Sequence, residues 1–316
     1  MLRNASILAR RAVHQYRRRD IFSYLGLRLY LANSAAPADR WARDVAVKLV
    51  QRRSAVGYIK VEAFKEKLNH NFVYRIMYLP APNEILAETA LIDACAKAGG
   101  KFDPLPCVFS YQLPDVDDAS GVYKPYFAGF AKRHVGIASA CQKSPNGWVV
   151  NLDLRKFYPS ISLERAKMVW IDACDASSLD IVYRELGLKL LNDYEKATDT
   201  PTPNKTLITG PMFSHLVGNL VLRDLDVLMS KRSDVEYFRY VDDLALVGQP
   251  ENVKAAENEI LAWCRSRELQ LNQDKRLVVS VNDWIKGAND FGQDPNNEMW
   301  AALVGRTKRL LIRKYC

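Results

Sequence analysis

Residues 237–247, YFRYVDDLALV, set two adjacent carboxylates between two apolar runs. Side-by-side like charges repel, and hydrophobic strands gain nothing from an acid pair at their centre. Apolar flanks of this length alternate like β-strands, so Asp242 and Asp243 fall where the chain reverses. Two readings follow. An Asp-containing β-turn is common; alternatively, the hairpin carries its acids as a working tip.

The rest of the chain sets bounds. The 316 residues are 48% hydrophobic, enough for a substantial core in one large or two ordinary domains. Lysine and arginine total 45 against 36 acids, a net charge of +9, which suits a polyanionic partner such as nucleic acid but equally serves solubility. Six scattered cysteines with no C-x-x-C pair, and four isolated histidines, give zinc no support and fit a reduced, cytoplasmic chain. No apolar run approaches the roughly 18 residues that would span a bilayer. The start, MLRNASILARRAVHQYRRRD, has six arginines and no acid before Asp20. That pattern reads as a transit peptide or as the basic first helix of a nucleic-acid binder. The basic text continues through 40–53, RWARDVAVKLVQRR, and favours the helix.

Apolar spacing of three to four predicts helices over 7–16, 21–31 and 38–53, so residues 1–70 read as a basic helical extension. Pro80 and Pro82 break the chain before a helix over 84–98 that stops at Gly99-Gly100. Proline-punctuated text from 101 to 127 suggests short strands at CVFSYQL and VYKPYF, and FAKRHVGIASACQK a basic helix. WVVNLDL at 148–154 alternates as a strand, which puts Asp153 opposite to Leu152 and Leu154. Helical text over 163–194 and 212–230, a helix over 251–269 and a strand at RLVVSVN complete an α+β order.

Asp153 could be a turn acceptor or the partner that the acid hairpin needs. Converging carboxylates are tolerable with counter-charge, and magnesium supplies it through oxygen ligands. Two such ions about 3.5 to 4 Å apart can activate a hydroxyl and stabilise a leaving pyrophosphate.

Four segments now carry a family resemblance. NLDLRKFYPSI (151–161), TGPMFSHLVGN (209–219), FRYVDDLALVG (238–248) and LQLNQDK (269–275) resemble, in order and spacing, the palm motifs of reverse transcriptases. The likeness is strongest to the bacterial lineage of group II intron, retron and abortive-infection or defence-associated enzymes. It implies a right-hand polymerase: fingers at 71–147, a palm at 148–285 with a finger-like helical insertion near 163–205, and a short thumb-like helix at 286–316. It implies RNA-directed DNA synthesis with two Mg²⁺ ions, from dNTPs, on an RNA template or structured non-coding RNA, giving a DNA product. With so short a thumb, the grip on the duplex would come from the N-terminal helices, from a partner subunit or second copy, or from a structured RNA on the basic surface.

By the same resemblance Asp153 and Asp242 ligate metal, Asp243 assists, and the carbonyl of Leu154 is a further ligand. Tyr158 matches the aromatic that lies under the incoming sugar and excludes a 2′-hydroxyl, or else it is a core aromatic. Gly210, Ser214 and Asn219 match the nucleotide-side positions of Q-G-x-x-x-S-P-x-x-x-N. Thr209 replaces the glutamine there and His215 the proline, which suggests unusual templating or neutral change. Lys275 matches the lysine near the triphosphate. Lys124, Lys132 and Arg133 are candidates for triphosphate contact from the fingers, or lie on a solvated face. The departures point towards a defence-associated type. Untemplated or protein-primed synthesis on the same fold is the alternative, and a non-catalytic RNA-binding relic the third reading.

Overall fold

The computed structural model describes residues 5–32, 57–68, 71–115, 117–198 and 207–288, together with Leu310. The expected helix over 38–53 and almost all of the thumb-like stretch 286–316 lie outside the described residues.

Two helices open the chain, α1 (Ala5–Arg19) and α2 (Ile21–Ala32). The helical reading of 1–70 ends there among the described residues, because β1 (Tyr58–Leu68) and β2 (Asn71–Pro80) form an antiparallel hairpin. The text of β1 alternates with a period of two, and Phe64 meets Phe72 and Tyr74 edge-on across the pair, a cross-strand packing unavailable to a helix. Next comes α3 (Pro82–Ala98), started by Pro82 at its first turn and closed by Gly99 at φ 64°. The segment 107–113 forms only a single parallel bridge, Val108 to Arg239, and no strand forms at 122–127. There Lys124 N–H bonds Gln112, and Pro125 caps α4 (Tyr126–Lys143).

The centre is an antiparallel sheet in the order β4-β5-β3-β6, built from β3 (Trp148–Asp153), β4 (Val235–Tyr240), β5 (Asp243–Gly248) and β6 (Leu277–Ser280). The helical text at 163–194 divides into α5 (Leu163–Asp175) and α6 (Ile181–Ala197), each N-capped by a side chain, Ser162 and Asp180. The remaining long helices are α7 (Met212–Ser230) and α8 (Pro250–Arg265).

Period-two alternation gives the sheet two buried faces. Val150, Leu152, Leu244 and Leu246 join the main core with α3, α5, α6, α7 and α8. Val149, Phe238, Ala245 and Val247 pack instead on Ile137, Ala140 and Cys141 of α4. Each buried aliphatic side chain of these two cores contributes about 25 cal/mol per Å² of apolar surface removed from water. The fold is α+β, as the element order predicted.

A buried acid ties the hairpin to the helices. Glu88 of α3 accepts the hydroxyls of Tyr58 (2.8 Å) and Tyr194 (3.0 Å) and the N–H groups of Met212 (2.7 Å) and Phe213 (3.2 Å) at the start of α7. Burial pushes its carboxyl up to about 7, against the lowering effect of those four donors. Gly210, at φ 134°, lets the chain pass β2 so closely that any Cβ would meet the Tyr78 carbonyl. Five described cysteines are unpaired thiols, four of them buried, and no helix among the described residues is long and apolar enough to cross a membrane.

Candidate active site

Strand register assembles the acids. β3 pairs with β5 so that Asp153 stands directly opposite Asp243, with Asp242 beside it in the turn. Like charges directly opposite in a ladder destabilise it, so the pairing works against the sheet unless something positive joins it. Asp153 and Asp243 share the sheet face covered by α4, yet lie beyond its apolar contacts, near the aromatic first half of that helix. Phe130 meets Tyr240 edge-on, and the Tyr240 hydroxyl donates to the Tyr126 carbonyl at 3.1 Å.

The segment after α8 extends β3 past its end. Asn272 N–H bonds the Asp153 carbonyl (2.7 Å), Arg155 N–H bonds Gln270 (2.8 Å), and Leu154 bridges to Leu271. This places LNQDK against the acids. Lys275 Nζ donates to Asp153 Oδ1 at 3.1 Å and Asn272 Nδ2 to Oδ2 at 3.1 Å. The Leu154 N–H in turn donates to the Asp242 carbonyl at 3.1 Å, stapling the turn to β3.

One lysine does not balance the cluster. The Asp242 carboxyl is pushed up to about 6, by burial first and then by Asp243 and Asp153, with Lys275 opposing. Asp243 is also raised, by desolvation first, while Arg133 of α4 and Lys275 oppose. Burial lowers Arg133, the neighbouring Asp243 counteracts it, and its Nε finds no partner among the described residues. Among the described residues no three His, Cys, Asp or Glu side chains are drawn into a ready cation cage, since Asp153 turns both oxygens to Lys275 and Asn272. Carboxylate oxygens brought together by strand register are the kind of donor that a hard divalent cation takes.

Hairpin, strand, acid register and lysine segment thus agree with the order of motifs in the sequence. The family model for reverse transcriptase (RNA-dependent DNA polymerase) matches residues 97–296, which hold all of them. The chain belongs to the reverse transcriptase family. No curated protein matches it in sequence. Among solved structures, apo telomerase from Candida tropicalis aligns at TM-score 0.43 and 8% identity over 77% of this chain and 50% of that one. The telomerase of the same organism in complex with a fragment of telomeric RNA aligns at 0.37 and 10% over 48% and 29%. This chain therefore spans half or less of the length of either.

The other expected site residues of this chain fall into two groups. Tyr158 is buried beside the acids, its hydroxyl 2.5 Å from His215 Nδ1, and Tyr111 stacks on His215 with centroids 3.8 Å apart at 7°. Burial first, and then the Arg19 charge, hold His215 well below its ordinary range, so it is neutral. Burial likewise raises Tyr158, which therefore keeps its proton and donates to Nδ1. Phe157 and Tyr158 are packed by Gly218, where a Cβ would come within 3.2 and 3.3 Å of their rings. Lys275 and Arg133 also stand at the acids.

The second group has other partners. Ser214 is fully buried within α7. Asn219 accepts from Arg239 Nη1 at 3.0 Å rather than facing open space. The near neighbour of Gly210 is the Tyr78 backbone, and Tyr78 N–H bonds Thr209 O at 2.8 Å. Lys124 pairs with Asp115 at 3.2 Å, and Lys132 is exposed on α4. Sequence reasoning missed Arg19, Tyr111, His215 as the partner of Tyr158, and the ionic group of Asp226 and Arg239. The last was detectable: an arginine alternating inward in an apolar strand demands a buried acid.

Proposed function

We propose that this chain is an RNA-directed DNA polymerase that joins dNTPs by in-line nucleotidyl transfer at Asp153, Asp242 and Asp243. The observation that carries the reading is the register of β3 on β5, which sets Asp153 against Asp243 at the open end of the sheet. Asp153 and Asp242, with the Leu154 carbonyl, are the residues that would hold two Mg²⁺ ions. Bound there, the ions would supply an activated primer hydroxyl and charge stabilisation for the departing pyrophosphate. Lys275, now on Asp153, has the charge and reach to meet the triphosphate, and Arg133 approaches from the α4 side. Tyr158 provides the flat wall on which a deoxyribose would rest, with no room kept for a 2′-hydroxyl.

The reading assigns the palm to 148–285 and the fingers to 71–147, which already hold β2, with β1 now added to them. The charge of +9 supports a nucleic-acid partner, either an RNA template or a structured RNA bound to the enzyme. A defence or retroelement-derived setting rests on the motif resemblance and on the departures at Thr209 and His215.

Sequencing the nucleic acid that copurifies with the chain, and the DNA made from it on adding Mg²⁺ and dNTPs, tests the proposal. A bound RNA complementary to the product is the expected result. A product without complement favours untemplated synthesis, and incorporation that persists in Asp242→Ala/Asp243→Ala removes the catalytic assignment.

A further inference from the structure

The turn that carries the acids has an unfavourable residue at its critical position. β4 and β5 pair Tyr240 with Asp243, leaving Val241 and Asp242 as a two-residue loop. Loops of this length match the twist of the strands only when the first central residue has positive φ, a place normally held by Gly, Asn or Asp. Here it is Val241, at φ 59°, and Asp242 is not left-handed. A β-branched residue in that region is a true outlier, because its Cβ crowds the backbone carbonyl. Left to itself, the loop would relax and move both carboxylates.

Two groups hold it. The Val241 N–H donates to Ser110 Oγ at 2.7 Å, and Arg239 Nη1 donates to the Val241 carbonyl at 2.9 Å. Both ends of the strained residue are therefore fixed from outside the loop. Arg239 is itself immobile. Its Nε and Nη2 each reach Asp226 of α7 at 2.7 Å, and Nη1 also reaches Asn219 Oδ1 at 3.0 Å. Tyr237 adds its hydroxyl to Asp226 at 3.1 Å, and the arginine and aspartate side chains are 1% and 2% exposed. Burial opposes the Arg239 charge, but Asp226 more than restores it. Ser110 is placed by the segment beside β4, where Arg239 N–H bonds Cys107 (2.8 Å) and Phe109 N–H bonds the Arg239 carbonyl (2.9 Å).

Every polar group in this arrangement is spent inside the protein, and none faces the acid cluster. We infer that Arg239, Ser110, Asp226 and Asn219 are positioning residues that clamp Val241 in its left-handed state and thereby set where Asp242 and Asp243 stand. Asn219, expected on the nucleotide side, acts through the turn instead. The inference rests on the proposed polymerase reading for its kinetic consequence, while the clamp itself concerns only the loop.

The test uses the full chain with Ser110→Ala and Arg239→Lys, each with and without Val241→Gly. Glycine takes positive φ without strain, so it removes the need for a clamp. Nucleotide incorporation is followed on an RNA template annealed to a DNA primer with Mg²⁺. In parallel, hydrogen exchange of the Leu154 amide reports the bond to the Asp242 carbonyl with no chemistry involved. Ser110→Ala should lower kcat about tenfold with the nucleotide KM within about twofold, and speed Leu154 exchange about tenfold; adding Val241→Gly should recover most of both. Arg239→Lys should show the same pattern, more strongly. If Val241→Gly fails to restore Leu154 protection, or Ser110→Ala leaves it unchanged, the clamp is overturned. If the unsubstituted chain incorporates nothing, the polymerase reading fails and Leu154 exchange alone decides the clamp.

Discussion

Two acidic groups that meet one hairpin follow opposite rules. Behind the turn, Asp226 of α7 receives two guanidinium bonds and a phenol and is 2% exposed, so its charge is wholly balanced. At the turn and the strand end facing it, Asp153, Asp242 and Asp243 share Lys275 and Arg133, and the carboxyls of Asp242 and Asp243 are raised, by burial first. A satisfied network makes a rigid support and has no capacity left for a ligand. An unbalanced one works against the fold and keeps oxygen donors that can still take counter-charge. The contrast separates residues that build the site from residues that act in it.

Substitutions should split along that line. Asp153→Asn should lower nucleotide incorporation by about a thousandfold or more while the thermal midpoint holds or rises, since it removes repulsion across the strands. A large loss of stability in that variant would break the comparison. Asp226→Ala should do the reverse, leaving Arg239 buried without its counter-charge and costing about 3 to 5 kcal/mol in denaturant unfolding. A loss under about 1 kcal/mol would show that the Asp226 network is not the support described.

The pH dependence sharpens the tip. Asp242 has a folded value of about 6 against an ordinary 3.8, so the folded state holds more protons between those values. Stability should therefore fall as pH rises from about 4 to 6, by about 1 to 2 kcal/mol given the solvent at the turn, and Asp242→Asn should flatten that slope. Cation affinity should run the other way, weakening up to tenfold per pH unit below about 6, as measured by Mn²⁺ titration. The smallest effect is expected at the sugar wall. Tyr158→Phe removes the bond to His215 but keeps the ring, so discrimination against ribonucleotides should change only about twofold, while Tyr158→Ala should relax it by about tenfold or more. Equal effects of the two would place the selectivity in the hydroxyl.

Much of the centre was legible. Period-two alternation found β3 and β5, the glycine pair found the end of α3, and the motif order led from Asp153 to the acid turn. The N-terminal third was less so. β1 and β2 were missed because their charged, exposed alternation is weak beside the strongly helical text upstream, and only docking onto α3 and α7 through Glu88 defines them. The reading of Asn219 and Ser214 as nucleotide contacts followed their spacing, which cannot say which face of α7 is covered. His215 looked like a departure from a motif, and its role as the partner of Tyr158 depends on an approach across 57 positions.

The sequence by itself determined that this chain would make an antiparallel acid-tipped hairpin, an aspartate-ended strand and a lysine turn in that order, because local alternation and turn chemistry are properties of short stretches. Only the tertiary structure decided the register that sets Asp153 against Asp243, and the clamp that holds a valine left-handed between them and α7. Register and clamp arise from contacts between residues far apart in the chain, and their geometry is fixed by burial rather than by neighbours in sequence.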